Sequence, residues 1–241
     1  MRVVTINLCQ EFPGKKKDLI KKWITLFRKI KGDILLLQEI QNYNMVSLAS
    51  ALNLKILNIN NEENTCVLIN PQKLTIVDNF HVKHKADPAV LYVAAIHLTD
   101  IPALPHYLNG KKYYGSPLHY SLAKMLKLCA ERRLPGLKSV FRQAKKTEMA
   151  ILAGDFNEPS HFDLDIPTPV SQAFEKAGFQ DTFRQVNSAP GYTWPAGGMY
   201  KRGPLQRIDF IYTKNVGTKR SKVLDTGLSD HKMVITDISP Y

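Results

Sequence analysis

The sequence predicts an α/β fold in which two mixed sheets pack face to face, with helices on their outer faces. Three observations carry that expectation. Several strand-like runs are almost continuously apolar, as strands covered on both faces are. Amphipathic segments at helical spacing alternate with them. The order of a strand–helix pair followed by a group of strands recurs loosely in both halves, which suits a two-sheet sandwich. A chain of 241 residues can bury one good-sized core, and with no internal repeat or low-complexity linker a single domain over residues 1–241 is the economical reading.

Val3–Leu8 reads as the first strand. Lys16–Ile30 follows as a helix, because Leu19, Ile20, Trp23, Ile24, Phe27 and Ile30 fall on one face and Gly32 stands just past its end. Ile34–Ile40 is a doubly buried strand, and Asn44–Leu52 a second helix. Short strands are then expected at Lys55–Ile59, Thr65–Asn70, Leu74–Phe80 and Val90–Leu98, separated by turn-forming Asn and Pro. Asp100–Pro117, rich in Pro, Gly and Tyr, reads as a long loop of the kind that often carries function. Ser121–Lys146 is helical with an interruption expected near Pro135–Gly136. Met149–Phe156 is another buried strand, Val170–Ala177 a short helix closed by Gly178, and Pro190–Pro204 a second Gly- and Pro-rich loop. Arg207–Thr213, Lys222–Asp225 and Met233–Ile238 complete the strands.

Composition excludes several classes. Hydrophobic residues make up 44% of the chain, an ordinary globular value rather than a disordered one. No apolar run approaches the roughly 18–20 residues of a membrane helix, and the N-terminal run is too short and too soon polar for a signal peptide. A cytoplasmic, monomeric protein is expected. Cys9, Cys66 and Cys129 are odd in number and widely spaced, which predicts free buried thiols rather than disulfides or a zinc site. The net charge of +12 is not a tail: residues 1–120 hold 15 basic and 9 acidic groups, residues 121–241 hold 18 and 12. Such a balance favours polyanionic partners. The two densest basic runs, Lys15–Lys31 and Lys124–Glu148, are interleaved with apolar residues at helical spacing and read as solvated helix faces.

The chemistry is concentrated in polar residues placed where apolar strands end: Asn7 in VVTINL, Glu39 in DILLLQEI, His97 in LYVAAIHL, Asp155 and Asn157 in MAILAGDFNEPS, Asp209 in QRIDFIYT, and Asp230–His231 in LSDHKMVI. Carboxylates, carboxamides and imidazoles in this combination suit the binding of a hard divalent cation and the activation of water against a phosphate ester. Asp155 and Asn157, two apart on a strand, share one side of it. Glu39 is a fitting ligand for Mg²⁺, which prefers oxygen donors. A histidine such as His231 can act in proton transfer if a carboxylate fixes its tautomer, and Asp209 is the candidate for that carboxylate. Each residue also has a plainer reading, as a turn former, a cap or a solvated strand end.

The ordered series TINL, LLLQEI, AAIHLTD, LAGDFNEPS, RIDFIY and SDHKMV resembles the endonuclease/exonuclease/phosphatase superfamily, which includes DNase I-like nucleases, AP endonucleases, deadenylases, sphingomyelinases and inositol-polyphosphate 5-phosphatases. The resemblance implies a four-layer α/β/β/α sandwich with the site at one end of the sheets, and a Mg²⁺- or Mn²⁺-dependent phosphoesterase. It implies metal-site roles for Glu39, Asn7 and Asp230. It makes Asp155 and Asn157 the residues that position the water and contact the phosphate, pairs Asp209 with His231, and gives His97 a catalytic place. The inositol-phosphatase pattern after GD is not matched.

Substrate is less defined. Nucleic acid is the first expectation, on the charge and on Lys111, Lys112, Tyr113 and Tyr114, which add cations and stacking surfaces beside His97. Trp194 in GYTWP and Arg207 are further candidate substrate contacts. A smaller phosphoester (a phospholipid head group, sugar phosphate or nucleotide) is the alternative, and a non-catalytic polyanion-binding protein the third.

Overall fold

The computed structural model describes residues 1–9, 16–113, 118–196 and 205–239. Among them run β1 (Arg2–Asn7), α1 (Lys16–Ile30), β2 (Ile34–Gln38), α2 (Met45–Leu52), β3 (Lys55–Asn60), β4 (Thr65–Ile69), β5 (Leu74–Ile76), β6 (His81–His84) and β7 (Val90–His97). They continue through α3 (Leu104–Leu108), α4 (Leu122–Ala144), β8 (Met149–Asp155), α5 (His161–Leu164), α6 (Pro169–Lys176), β9 (Gln180–Asp181), α7 (Thr182–Val186), β10 (Asp209–Lys214), β11 (Gly217–Leu224) and β12 (Met233–Ser239).

The strands form two six-stranded sheets, ordered β11-β12-β1-β2-β4-β3 and β5-β6-β7-β8-β10-β9. Each is mixed, with one parallel pair at its centre, β1 with β2 and β7 with β8, flanked by antiparallel neighbours. The alternation of side chains along the central strands divides the interior into layers. Val3, Ile34, Leu36 and Val67 of one sheet meet Val93, Ala95, Ile151, Ala153 and Ile211 of the other. The residues between them face outward: Val4, Ile6, Leu35 and Leu37 pack on Trp23, Phe27 and Leu48 of α1 and α2. On the opposite side, Tyr92, Ala94, Leu152 and Phe210 pack on Leu137 of α4 and Phe174 of α6. The result is the four-layer α/β/β/α sandwich. No helix among the described residues is long and apolar enough to cross a membrane.

Four expectations need correction. The Leu74–Phe80 run is not one strand. It stops at Ile76, and Asp78 accepts hydrogen bonds from the backbone N–H groups of Phe80 and His81, turning the chain into β6. The Asp100–Pro117 segment is not structureless, since α3 forms within it with Pro105 in its first turn, where proline is tolerated. Helix α4 is not interrupted: it runs through Pro135. Pro135 and Gly136 lie on its exposed face, where water can satisfy the carbonyl that proline leaves without a donor, while Cys129, Arg133 and Leu137 anchor the buried face on either side. Finally, the basic run on α4 is not wholly solvated, because Arg133 is buried. Tyr114 and the part of the Pro190–Pro204 loop from 197 to 204 lie outside the described residues. All three cysteines are free and buried.

Candidate active site

The same alternation that builds the core builds the site. Asn7 follows Val3 and Thr5 on the inward face of β1. His97 follows Val93 and Ala95 on β7, Asp155 follows Ile151 and Ala153 on β8, and Asp209 precedes Ile211 on β10. Strand register sets His97 opposite Asp155 and Asp155 opposite Asp209. The layer between the sheets is therefore apolar along most of its length and becomes polar at one end. Polarity begins a residue or two earlier, where Gln38 Nε2 donates to Thr5 Oγ1 at 3.2 Å.

At that end the side chains form one connected network. Asn7 Nδ2 donates to Glu39 Oε1 at 2.9 Å and to Asp155 Oδ2 at 3.0 Å, joining the two sheets. Its own carbonyl oxygen accepts from the Cys9 backbone N–H at 2.9 Å, which fixes which way the amide faces. Asp155 Oδ1 accepts from the Asn157 backbone N–H at 2.8 Å. The His231 ring lies between two carboxylates, with Nδ1 at 3.0 Å from Asp209 Oδ2 and Nε2 at 3.7 Å from Asp155 Oδ2. Ser229 tethers the loop that carries His231, donating to the Asn7 carbonyl at 2.7 Å and accepting from the His231 N–H at 3.0 Å. His97 stands on the other side of Asp155, Nε2 at 4.0 Å from its Oδ2, while Nδ1 faces the Glu63 carbonyl at 3.3 Å.

Two protonation shifts follow. Burial works against a charged His231, but the carboxylates of Asp209 and Asp155 outweigh it and raise the ring from 6.5 to about 10. Burial also pushes the Asp155 carboxyl up, opposed by His231. At neutral pH the ring is thus an imidazolium gripped by Asp209. Asp155, Asp209 and His231 each bring a potential ligand atom within 4.8 Å of the others. Within the trio, His231 Nδ1 and both Asp209 oxygens are already engaged with each other, and Asp209 is wholly buried.

A cleft of about 590 Å³ opens over the network. Glu39, His97, Asp155, Asn157, Asp230 and His231 line it, with Asn7 and Asp209 one layer behind. Cys9, Glu39, Asn64 and Asn157 of this lining hold positive φ values of 51°, 54°, 55° and 50°. Such strain, about 1–3 kcal/mol per residue, is characteristic of functional sites. One wall is aromatic: Tyr113 stacks on His106 with ring centres 4.2 Å apart, and His106 meets the Trp194 edge at 5.2 Å. Trp194 Nε1 donates to Asp230 Oδ2 at 3.2 Å. The lining also carries acidic groups, Glu62 and Glu63 from the β3–β4 turn and Asp100 beyond His97.

The other expected substrate contacts fall outside the cleft. Lys111 and Lys112 follow α3 and do not line it. Arg207 lies elsewhere: it is buried, paired with Asp163 at 2.9 Å and Asp181 at 2.6 Å, and packed on the Phe210 ring. Its charge is consumed inside the protein. It borders a larger groove of about 970 Å³. The charged groups of that groove are matched to one another, as in Arg184 with Asp163, so the smaller cleft is where the reactive groups converge. Glu62, Glu63 and His106 carried no signal in the sequence beyond turn and loop composition.

A two-sheet sandwich that turns polar at one end, with carboxylates and imidazoles lining a cleft there, suits chemistry on a phosphate ester. Residues 5–231 match the Endonuclease/Exonuclease/phosphatase family, and the chain belongs to it. It is an enzyme of the phosphoesterase class, in a family whose members generally depend on a divalent metal. An uncharacterized protein of Caenorhabditis elegans is 31% identical over 103 residues, 34% of this chain. That match spans about a third of the worm protein, 32% of its length. Among solved structures, the fold resembles a functionally unknown conserved protein from Enterococcus faecalis, with a TM-score of 0.71, 17% identity and 99% of each chain covered. It also resembles D. rerio TDP2 complexed with a single-strand DNA product, with a TM-score of 0.67, 15% identity and 99% and 98% coverage. A third is the mannosyl-6-phosphatase of Bacteroides thetaiotaomicron, with a TM-score of 0.64, 15% identity and 99% coverage of both chains.

Proposed function

We propose that the chain is a Mg²⁺- or Mn²⁺-dependent hydrolase of phosphoesters in nucleic acid, acting at the cleft over Asp155. The observation that carries the reading is the convergence of Asp155, the His231–Asp209 pair and the carboxylates of Glu39 and Asp230 on one cleft, brought there by the ends of β2, β8 and β10 and the loop before β12. The donor set fits a hard cation. Glu39 and Asp230 supply oxygen ligands at the cleft, and Asn7 steadies Glu39 from behind. The bound ion would neutralise charge on a phosphate oxygen and stabilise the leaving group.

The chain's own residues do the rest. Asp155 orients a water for in-line attack and takes up its proton. His231, charged and held in one orientation by Asp209, donates from Nε2 to a phosphoryl oxygen and stabilises the negative charge that develops there. Asn157 gives one amide hydrogen to the Leu98 carbonyl and has a second to offer the phosphate. His97 stands on the other side of Asp155 as a further polar contact for the phosphate. The His106–Tyr113–Trp194 wall offers stacking surface for a base.

One observation favours the alternative of a small phosphoester: Glu62, Glu63 and Asp100 on the rim repel the flanking phosphates of a long strand. A panel of single- and double-stranded DNA and RNA beside sugar phosphates and bis-p-nitrophenyl phosphate separates the two. Metal-dependent cleavage of a polynucleotide is expected. Turnover of the small esters alone would move the substrate to a metabolite.

A further inference from the structure

We infer that Arg133 and Glu158 are positioning residues, a buried guanidinium–carboxylate pair that locks the loop after β7 and the loop after β8 into one arrangement. Both side chains are fully buried, with Nη1 at 2.9 Å from Glu158 Oε2. Neither lines the cleft. The remaining donors of Arg133 are spent on one loop: Nε donates to the Thr99 carbonyl at 3.0 Å and Nη2 to the Pro102 carbonyl at 2.7 Å. The remaining oxygen of Glu158 accepts from the Val170 N–H at 2.8 Å, at the start of α6. A single planar fork from α4 thus holds the segment that follows His97 and the residue that follows Asn157.

Those two segments are the walls of the site. Thr99, Asp100, Ala103, Pro105 and His106 line the cleft on one side, Asp155 and Asn157 on the other. They touch each other through the Leu98 N–H to the Asp155 carbonyl at 3.0 Å and Asn157 Nδ2 to the Leu98 carbonyl at 2.8 Å. A fully buried ion pair is a poor stabiliser compared with apolar side chains of similar volume. Its distinguishing property is geometric: the guanidinium makes several bonds in fixed directions, which a lysine cannot reproduce. Two irregular loops that must present catalytic groups within a fraction of an ångström are where such a device has a use.

The inference rests on the proposed reaction, and its test separates the two. The double variant Arg133→Met/Glu158→Met replaces the pair by apolar side chains. It is to be compared with the unmutated protein in steady-state hydrolysis, thermal melting and hydrogen exchange read on peptides covering residues 98–103 and 155–158. The expected result is a lower melting temperature with a single transition, because the Thr99 and Pro102 carbonyls and the Val170 N–H lose their partners, with faster exchange confined to both peptides and kcat lowered about 100-fold with KM little changed, the effect of roughly 1 Å of misplacement. A kcat within about twofold of the unmutated value, or unaltered exchange in the two peptides, would overturn the inference. Should the double variant fail to fold, Arg133→Lys carries the same test: it keeps the charge and loses the fork, and full activity with unaltered exchange would overturn the inference. If the unmutated protein turns over no phosphoester, the reaction is misassigned, and the exchange result alone decides whether the pair holds the loops.

Discussion

At the scale of single residues, the site is a set of charges that fix one another. His231 is held as an imidazolium by Asp209 and Asp155, and this has a consequence for stability. Its pKa is raised in the folded protein from 6.5 to about 10, so the extra proton affinity stabilises the fold fully below pH 6.5. That stabilisation is lost as pH rises toward 10. Asp155, also raised, acts with the same sign at lower pH. The melting temperature is therefore expected to decline between pH 6.5 and 10, and His231→Gln to flatten that decline. An identical slope in the variant would contradict the coupling. The residues in this network were legible in the sequence because each is a polar group ending an apolar strand. Arg207 was misread because an arginine beside a catalytic motif looks like a phosphate ligand. Only the fold brings Asp163 and Asp181 to it. Glu62, Glu63 and His106 were not legible, since turn and loop residues reach the cleft by tertiary folding alone.

At the scale of elements, Gly154 explains the glycine of GDFN. A Cβ there would lie 1.8 Å from the Ile96 carbonyl oxygen of β7, so β8 can pair with β7 beside Asp155 only if residue 154 has no side chain. Gly154→Ala is expected to destabilise the protein by roughly 3–5 kcal/mol and to lose activity with it, measured by denaturant unfolding. A fully stable variant would contradict the pairing geometry. Pro135 makes the opposite prediction. It lies on the exposed face of α4, so Pro135→Ala should restore a helix hydrogen bond and raise stability by about 1–3 kcal/mol, read as a higher melting temperature with unchanged turnover. The sequence placed most strands and α1 within a residue or two, because buried central strands and amphipathic helices impose clear periods. It lost β6, β9, α3, α5 and α7, each five residues or fewer. Such elements are too short for a period to register and are set by turns, caps and neighbours. Pro135 misled in the same way: a local helix breaker was overridden by packing on the opposite face.

At the scale of the whole molecule, the sandwich follows from apolar runs that need cover on both faces, and the family from motifs spread over nearly the full chain. Charge is where sequence and structure diverge. The net +12 is carried largely outside the cleft, whose rim holds Glu62, Glu63 and Asp100. A strand of nucleic acid would thus be steered by the general surface and gripped at the site by aromatic stacking. Tyr113→Ala is accordingly expected to raise KM for an oligonucleotide roughly 10-fold, the loss of one stacked base, with kcat nearly unchanged. An equal KM would remove the wall from the substrate path. The most direct test of the central claim is hydrolysis of a phosphodiester with Mg²⁺ and with EDTA, by the unmutated protein and by Asp155→Ala. The account predicts turnover with Mg²⁺, none with EDTA, and a loss of at least about 1,000-fold in the variant. Turnover that survives either EDTA or the loss of Asp155 would contradict it.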